Sequence, residues 1–583
     1  MATEQLLQLV TSKAQQWLTD GYDAETQAEV RRMMEDEDKT LLIESFYKDL
    51  EFGTGGLRGI MGVGSNRMNK YTVGAATQGL SNYLKKEFAS LPEIKVVIGY
   101  DCRNNSRKFA EITAGVFAAN GIKVYLFEDL RPTPEVSFAI RTLGCQSGVM
   151  ITASHNPKEY NGYKAYWNDG AQMIPPHDKN TISEVNQIRD VKGIKFDGPS
   201  SLIEILGEGV DKQFLDAIAS LSLSPDAVKA HSDMKIVYTP IHGCGQKLVP
   251  AALRAFGFKN IISVPEQEVI SGDFPTVISP NPEEPAALKM ALDKAREVDA
   301  DLVLASDPDA DRIGSAIKNN DGEWVLVNGN QTCLLYAYYA IEKRREAGLL
   351  KDNQYIVKTI VTTDLIRTIA EANHVELYDS YTGFKWIADI IRQNEGKKEY
   401  LGGGEESYGY LWEDFCRDKN SVSACAILAE IAAWAKQKGM TVYQLLDHIY
   451  TTYGFSYEVG VSLVRKGKSG AEEIEGMMKG YREQPLSAID GSPVTEMLDY
   501  VDLKGKLLQQ NEEFTLDMPT TSNVLQYRTA DGTKLSIRPS GTEPKIKYYI
   551  EVHLKVDKEG ADLEQIRRDA RDKVERIKSE LGI

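Results

Sequence analysis

Short apolar runs alternate with stretches in which apolar residues recur every three or four positions, and this alternation covers most of the chain. Residues 3–50 stand apart. Leu6, Leu7 and Val10, then Ala14, Trp17 and Leu18, keep helical steps throughout and predict a helical leader that packs on the domain after it. Strand-like runs then appear at 95–99, 123–127 and 148–152, separated by a polar loop (100–107), a helix ending at Asn120-Gly121 and a second helix opened by Pro132 and Pro134. The same order returns with strands at 235–238, 260–264 and 301–305 and helices at 246–256 and 285–298. It returns again with strands at 355–361, 375–378 and 399–401 and helices at 365–372 and 384–394. Helices at 424–437 and 441–450 close this unit, while 412–420 fits neither period. Beyond 451 the pattern changes to strands at 455–463, 534–537 and 546–553 and a charged final helix from Leu563. Strands alternating with helices predict α/β domains. The division expected is a leader (1–50), three similar α/β domains (51–206, 207–322 and 323–452) and a smaller C-terminal α+β domain (453–583).

The unusual loops fall in equivalent places. Each of the three repeated units sends its third strand into one, the end at which open α/β sheets place ligands, so three domains would present three loops to one cleft. The first loop is Ala153-Ser154-His155-Asn156-Pro157, with Lys164 ten residues past Ser154. A serine there can act as nucleophile or phosphate carrier, and without a G-x-S-x-G elbow acyl chemistry is disfavoured. In the second loop Asp307, Asp309 and Asp311 occupy alternate positions, able to aim three carboxylate oxygens at one hard cation. An EF-hand is excluded, because its sixth position would be Gly and is Arg312 and its twelfth would be Glu and is Lys318. An ion held by three carboxylates keeps positions open for water or a phosphate oxygen, which suits Mg²⁺, and Arg312 can grip a phosphate beside it. The third loop, 402–409, joins glycines to Glu405, Glu406 and Ser407, groups suited to sugar hydroxyls.

A fourth segment, Arg538-Pro539-Ser540-Gly541-Thr542-Glu543-Pro544-Lys545, lies between two strands of the last domain and combines a guanidinium, two hydroxyls and a glycine, a plausible anion grip. No P-loop, H-E-x-x-H motif or Cys/His zinc cluster is present. Gly53 to Gly59 fits a dinucleotide fingerprint poorly, and its Arg58 instead can present a guanidinium to the cleft. Composition narrows the classes further. Acidic residues number 85 against 68 basic ones, a formal charge of −17, which argues against nucleic-acid or anionic-membrane binding. Six scattered cysteines make no disulfide scaffold, the start of the chain has no signal-peptide core, and no apolar run approaches the length of a membrane span. A reducing, cytoplasmic setting is expected; oligomeric state is not readable.

Together these segments resemble the α-D-phosphohexomutases, the phosphoglucomutases and phosphomannomutases. Residues 152–157, 307–312, 404–409 and 538–545 match the family's four motifs in order, and 52–58 and 382–386 are most similar to the bacterial α-phosphoglucomutase and phosphopentomutase-like group. The resemblance implies four domains with mixed sheets around a central cleft, and phosphoryl transfer through a phosphoserine and a bisphosphate intermediate. It further implies that Ser154 carries the phosphate and joins Asp307, Asp309 and Asp311 around Mg²⁺. Lys164 and His155 would move the proton, and Arg58 and Arg312 would stabilise the transferring group. Lys385, Glu405 and Ser407 would bind the sugar, and Arg538, Ser540, Gly541 and Thr542 the idle phosphate. Glucose 1,6-bisphosphate would be the activator and small sugar phosphates the partners. The expected reaction is interconversion of glucose 1-phosphate and glucose 6-phosphate. Mannose or pentose phosphate as substrate, a sugar phosphatase, and a non-catalytic sensor stand as alternatives. Two departures from the family pattern are Gly55 in place of Ala and Asn420-Ser421 in place of Asp-Gly.

Overall fold

The computed structural model describes residues 4–52, 56–188, 190–465, 467–540, 545–556 and 562–583. Gly541 and Thr542, expected in the phosphate grip, lie outside the described residues. The chain opens with helices Glu4–Gln16, Ala24–Glu35 and Thr40–Phe46. Their apolar faces, among them Val10, Met33 and Phe46, close over Tyr71 at the start of the first domain together with Trp17, just past the first helix.

Three sheets then share one core arrangement. In the first, Lys95–Tyr100 lies between Lys123–Phe127 and Ser147–Ile151 and runs parallel to both. Lys235–Thr239 sits the same way between Asn260–Ser263 and Leu302–Ser306. Gln354–Thr359 repeats it between Glu376–Ser380 and Glu399–Gly404. These strands are apolar runs because parallel strands are covered on both faces; Leu302–Ser306, for instance, is buried at every position. In each unit the third strand folds back into an antiparallel partner: Tyr160–Trp167, Ile313–Lys318 and Tyr410–Leu411 respectively. The three loops of interest sit at these three reversals. The antiparallel partners make all three sheets mixed.

The third unit differs from expectation in one detail. Its third strand continues through Gly402, Gly403 and Gly404, which pair with Ile356, Val357 and Lys358. A Cβ on Gly403 would stand 2.4 Å from the Val357 carbonyl oxygen, so the glycine permits close strand approach rather than loop freedom. The C-terminal domain is an eight-stranded antiparallel sheet. Helices Gly467–Glu483 and Leu563–Leu581 cover it through Ile474, Met478, Val574 and Ile577. Its strands Lys534–Pro539 and Lys545–Leu554 form the hairpin that carries Arg538 and Ser540. The four domains therefore form a mixed α/β architecture with three related sheets and a smaller fourth domain. Among the described residues no helix is long and apolar enough to cross a membrane.

Candidate active site

The aspartate loop is the centre on which the other loops converge. Each loop bends through one non-glycine residue of positive φ, at Ser154 (53°), Ala310 (52°) and Tyr408 (67°). Such residues are costly and persist where the surroundings fix them. Around the aspartate loop those surroundings come from both neighbouring domains. The Thr133 amide donates to the Asp309 carbonyl at 2.9 Å, and the Ile313 amide to the Tyr408 carbonyl at 3.1 Å.

Asp307, Asp309 and Asp311 are almost completely buried, and each offers a carboxylate oxygen within 4.8 Å of the others. Ser154 Oγ donates to Asp307 Oδ2 at 3.1 Å and lies 3.2 Å from His155 Nδ1. The other Asp307 oxygen accepts the amides of Asp311 (3.0 Å) and Arg312 (2.9 Å). Lys164, in strand Tyr160–Trp167, reaches Asp309 at 2.7 Å and Asp311 at 3.0 Å. Thr133 donates its hydroxyl to Asp309 at 2.8 Å. Even so, Asp309 Oδ1 and Asp311 Oδ1 are buried and have no hydrogen-bond partner. Two orphaned carboxylate oxygens beside a third carboxylate form an all-oxygen donor set, and a hard divalent cation fits it.

The electrostatics agree with that fit. Burial and the charges of Asp309 and Asp311 push the Asp307 carboxyl well above the usual carboxylate range. Burial would raise Asp311 as well, but Lys164, Lys419 and Arg312 hold it far below. His155 is held well below its ordinary value by burial and by Arg312 and Arg58, which keeps the ring neutral. Arg58 opens to solvent, and the protein crowded around it lowers its proton affinity, with Asp309 opposing and Arg312 and Arg103 adding to the effect. Arg58 is therefore close to the same carboxylates as Lys164. Arg312 is tethered at 2.7 Å to Glu283 of its own domain.

The sugar-loop residues divide. Glu405 is buried, accepts the Gly383 amide at 2.7 Å, and is raised by burial against the pull of Lys419. Ser407 instead lines a cavity of 320 Å³ between domains, with Glu283, Glu406, Tyr408, Lys547 and Tyr549. Arg538 lies beside Tyr549, which lines this cavity with Lys547 and Glu406, so the C-terminal hairpin meets the third loop there. Ser540 donates its amide to the Lys545 carbonyl at 2.7 Å and lines a separate groove with Met478 and Arg482. Lys385 is placed over the Trp386 ring at 5.0 Å, with Asp178 of the first domain as a charged neighbour.

The comparisons with known proteins bear on this constellation. The phosphoglucomutase/phosphomannomutase domain models match in order: α/β/α domain I at 49–192, domain II at 212–322, domain III at 328–453 and the C-terminal domain at 490–572. A phosphopentomutase of Homo sapiens is 33% identical over 584 residues, covering 96% of this chain and 94% of that protein. The chain belongs to the α-D-phosphohexomutase family. It is a phosphomutase, an isomerase of a metal-dependent family. A phosphoglucomutase of Staphylococcus haemolyticus is 33% identical over 88% of this chain and 92% of its own length, and one of Staphylococcus aureus is 35% identical over 87% and 90%. The phosphoglucomutase-related parafusin of Paramecium shares the fold, with a TM-score of 0.66, 18% identity and coverage of 91% and 95%.

Three residues of this candidate site escaped the sequence reading. Arg103, buried in the polar loop after Lys95–Tyr100, pairs with Asp101 at 3.3 Å and donates to the carbonyls of Ser154, Asn156, Pro157 and Tyr160. It clamps the serine loop from beneath. Thr133 and Lys419 hold Asp309 and Asp311. Each acts on a partner 50 or more positions away in sequence, beyond the reach of a spacing argument; only the polar character of 100–107 hinted at Arg103. Removing Arg103 leaves Asp101 an uncompensated buried charge. Arg103→Ala is expected to destabilise the first domain by about 3–5 kcal/mol in urea unfolding. A loss below about 1 kcal/mol, the worth of one ordinary hydrogen bond, would deny the clamp.

Proposed function

We propose that the chain interconverts glucose 1-phosphate and glucose 6-phosphate through a phosphate carried on Ser154. The observation that supports this most is the meeting of Ser154 Oγ with the aspartate cluster, 3.1 Å from Asp307 and beside two unpartnered buried oxygens. Asp307, Asp309 and Asp311 would hold Mg²⁺, with an oxygen of the serine phosphate beside them. When bound, the ion supplies charge neutralisation for the transferring group.

The chain's own residues carry the remaining work. Phosphoryl transfer is chiefly positioning and electrostatics. The P–O bond to Ser154 breaks as the free hydroxyl of the monophosphate forms its own bond to phosphorus; the neutral ring of His155 takes the hydroxyl proton, and Lys164, which despite burial is kept as the ammonium by Asp309 and Asp311, gives one to the departing Ser154 oxygen. Arg58 and Arg312 face the charge on the moving group. The sugar bisphosphate then reorients and returns its other phosphate to Ser154; added glucose 1,6-bisphosphate primes the serine in the same way. Glu405 and Ser407 bind sugar hydroxyls and Lys385 reads sugar identity. Arg538, Ser540, Gly541 and Thr542 hold the phosphate that is not reacting, so binding energy at one end orients the other.

A pentose 1-phosphate is the second reading, favoured by a phosphopentomutase at 33% identity over nearly the whole chain. Values of kcat/KM for glucose, mannose and ribose 1-phosphates, with bisphosphate and Mg²⁺ present, decide between them. Glucose 1-phosphate is expected to lead, and a higher value for ribose 1-phosphate would transfer the assignment to the pentose. In the same assay Arg538→Ala is expected to raise KM by about tenfold to a hundredfold, as loss of a charge-assisted phosphate contact should. Its Mg²⁺ affinity should be unchanged. An unaltered KM would remove the hairpin from the substrate site.

A further inference from the structure

Segment 412–420, which fitted neither strand nor helix by period, contains a buried acid with no partner of opposite charge among its hydrogen bonds. Glu413 is 3% exposed. Its carboxylate accepts from Ser423 Oγ at 2.9 Å, the Trp412 amide at 3.2 Å, Cys416 Sγ at 3.4 Å and, in the shortest contact, the Asn420 side-chain amide. The titratable groups facing it are Cys416 of its own loop and the Tyr400 phenol of strand Glu399–Gly404. Burial dominates over these hydrogen bonds and pushes the Glu413 carboxyl up to about 7. A carboxylate kept among neutral donors is costly, so what it holds is informative.

It holds Asn420. That residue is fully buried, and its Oδ1 accepts the amides of Val422 (3.0 Å) and Ser423 (3.3 Å), capping helix Ser421–Gln437. With its oxygen committed to the helix, its NH₂ group points at Glu413. The neighbours on either side of Asn420 both grip the aspartate loop. Lys419 Nζ lies 3.1 Å from Asp311 Oδ2, and Ser421 donates to the Ala310 carbonyl from its amide (3.2 Å) and hydroxyl (2.6 Å). Any rotation of Asn420 therefore moves both grips at once.

Building on the phosphomutase reading, we propose that Glu413 is a positioning residue that fixes the Asn420 amide and thereby holds Lys419 and Ser421 against the aspartate loop. It touches neither the substrate nor the reacting atoms. Its requirement is one acceptor oxygen opposite one side-chain NH₂ group, and which residue supplies which is immaterial.

That requirement can be tested by exchange. Asn420→Asp keeps a competent helix cap but sets a second carboxylate against Glu413 in a dry pocket. It is expected to lower kcat by about tenfold to a hundredfold while KM moves less than about threefold. The double variant Glu413→Gln with Asn420→Asp restores one carboxylate and one amide with their places swapped, and is expected to return kcat to within about fivefold of wild type. A double variant as impaired as Asn420→Asp, or an Asn420→Asp variant with wild-type kcat, overturns the proposal. Should Asn420→Asp fail to fold, Glu413→Ala against Glu413→Gln decides the same point: kcat is expected to fall at least about tenfold in the first and to stay near wild type in the second. Equal turnover in the two overturns it. Wild-type protein that isomerises no sugar 1-phosphate would overturn the phosphomutase reading instead, whereas wild-type turnover with a flat exchange cycle sinks only the role of Glu413.

Discussion

Ser154→Ala is expected to abolish turnover and leave the fold in place. The side chain removed is the one that would accept and return the phosphate; His155, 3.2 Å from the same oxygen, is left with its proposed role of moving a proton. Loss of a covalent nucleophile lowers turnover by on the order of 10⁶-fold, and that scale is expected here. The structural cost is small, since Ser154 Oγ makes one contact to Asp307 and one to His155, together about 1–2 kcal/mol. Steady-state assays alongside thermal unfolding separate the two effects. Activity within tenfold of wild type would remove Ser154 from the reaction.

Asp309→Asn has the second-largest effect. Asp309 gives one oxygen to Lys164 and Thr133 and keeps the other buried and unpartnered. An amide retains a neutral acceptor but removes one of the negative charges that set cation affinity, and its NH₂ group can be turned toward a cation. Mg²⁺ affinity measured by calorimetry is expected to fall beyond detection. kcat should fall by about 10²–10³-fold, the scale for removing one preorganised electrostatic group. Chelating the metal from wild type should reproduce the loss and added Mg²⁺ reverse it; in the variant, excess Mg²⁺ should recover only part. A variant that binds Mg²⁺ as wild type does would remove Asp309 from the ion's ligands.

How much of this was legible in sequence depends on the reach of each interaction. The three repeated units were visible because their central strands are buried on both faces and read as unbroken apolar runs. The aspartate triplet was visible because its members are two positions apart and need only a turn to converge. Strand Tyr160–Trp167 was not, since Asn161 and Lys164 interrupt its apolar pattern. Those two polar side chains are buried and serve the loops, Asn161 bonding Ser106 at 3.0 Å and Lys164 the aspartates. Gly402 to Gly404 looked like an open loop because glycine signals both freedom and close approach, and only the neighbouring strand distinguishes the two. The departure at Asn420 was legible, but its meaning was not. The partner that explains it, Glu413, becomes a neighbour only when the intervening segment folds back on the helix cap.

The central claim is that one hydroxyl and one cation site act on the same phosphate, and intact-mass measurement tests it most directly. Wild-type protein, Ser154→Ala and Asp309→Asn are each incubated with glucose 1,6-bisphosphate and Mg²⁺, then freed of ligand. The wild type should gain a single phosphoryl group, mapped by peptide fragmentation to Ser154 and discharged on adding glucose 1-phosphate. Neither variant should acquire it at a comparable rate. A phosphoryl group on any other residue, or one that glucose 1-phosphate does not remove, would contradict the account.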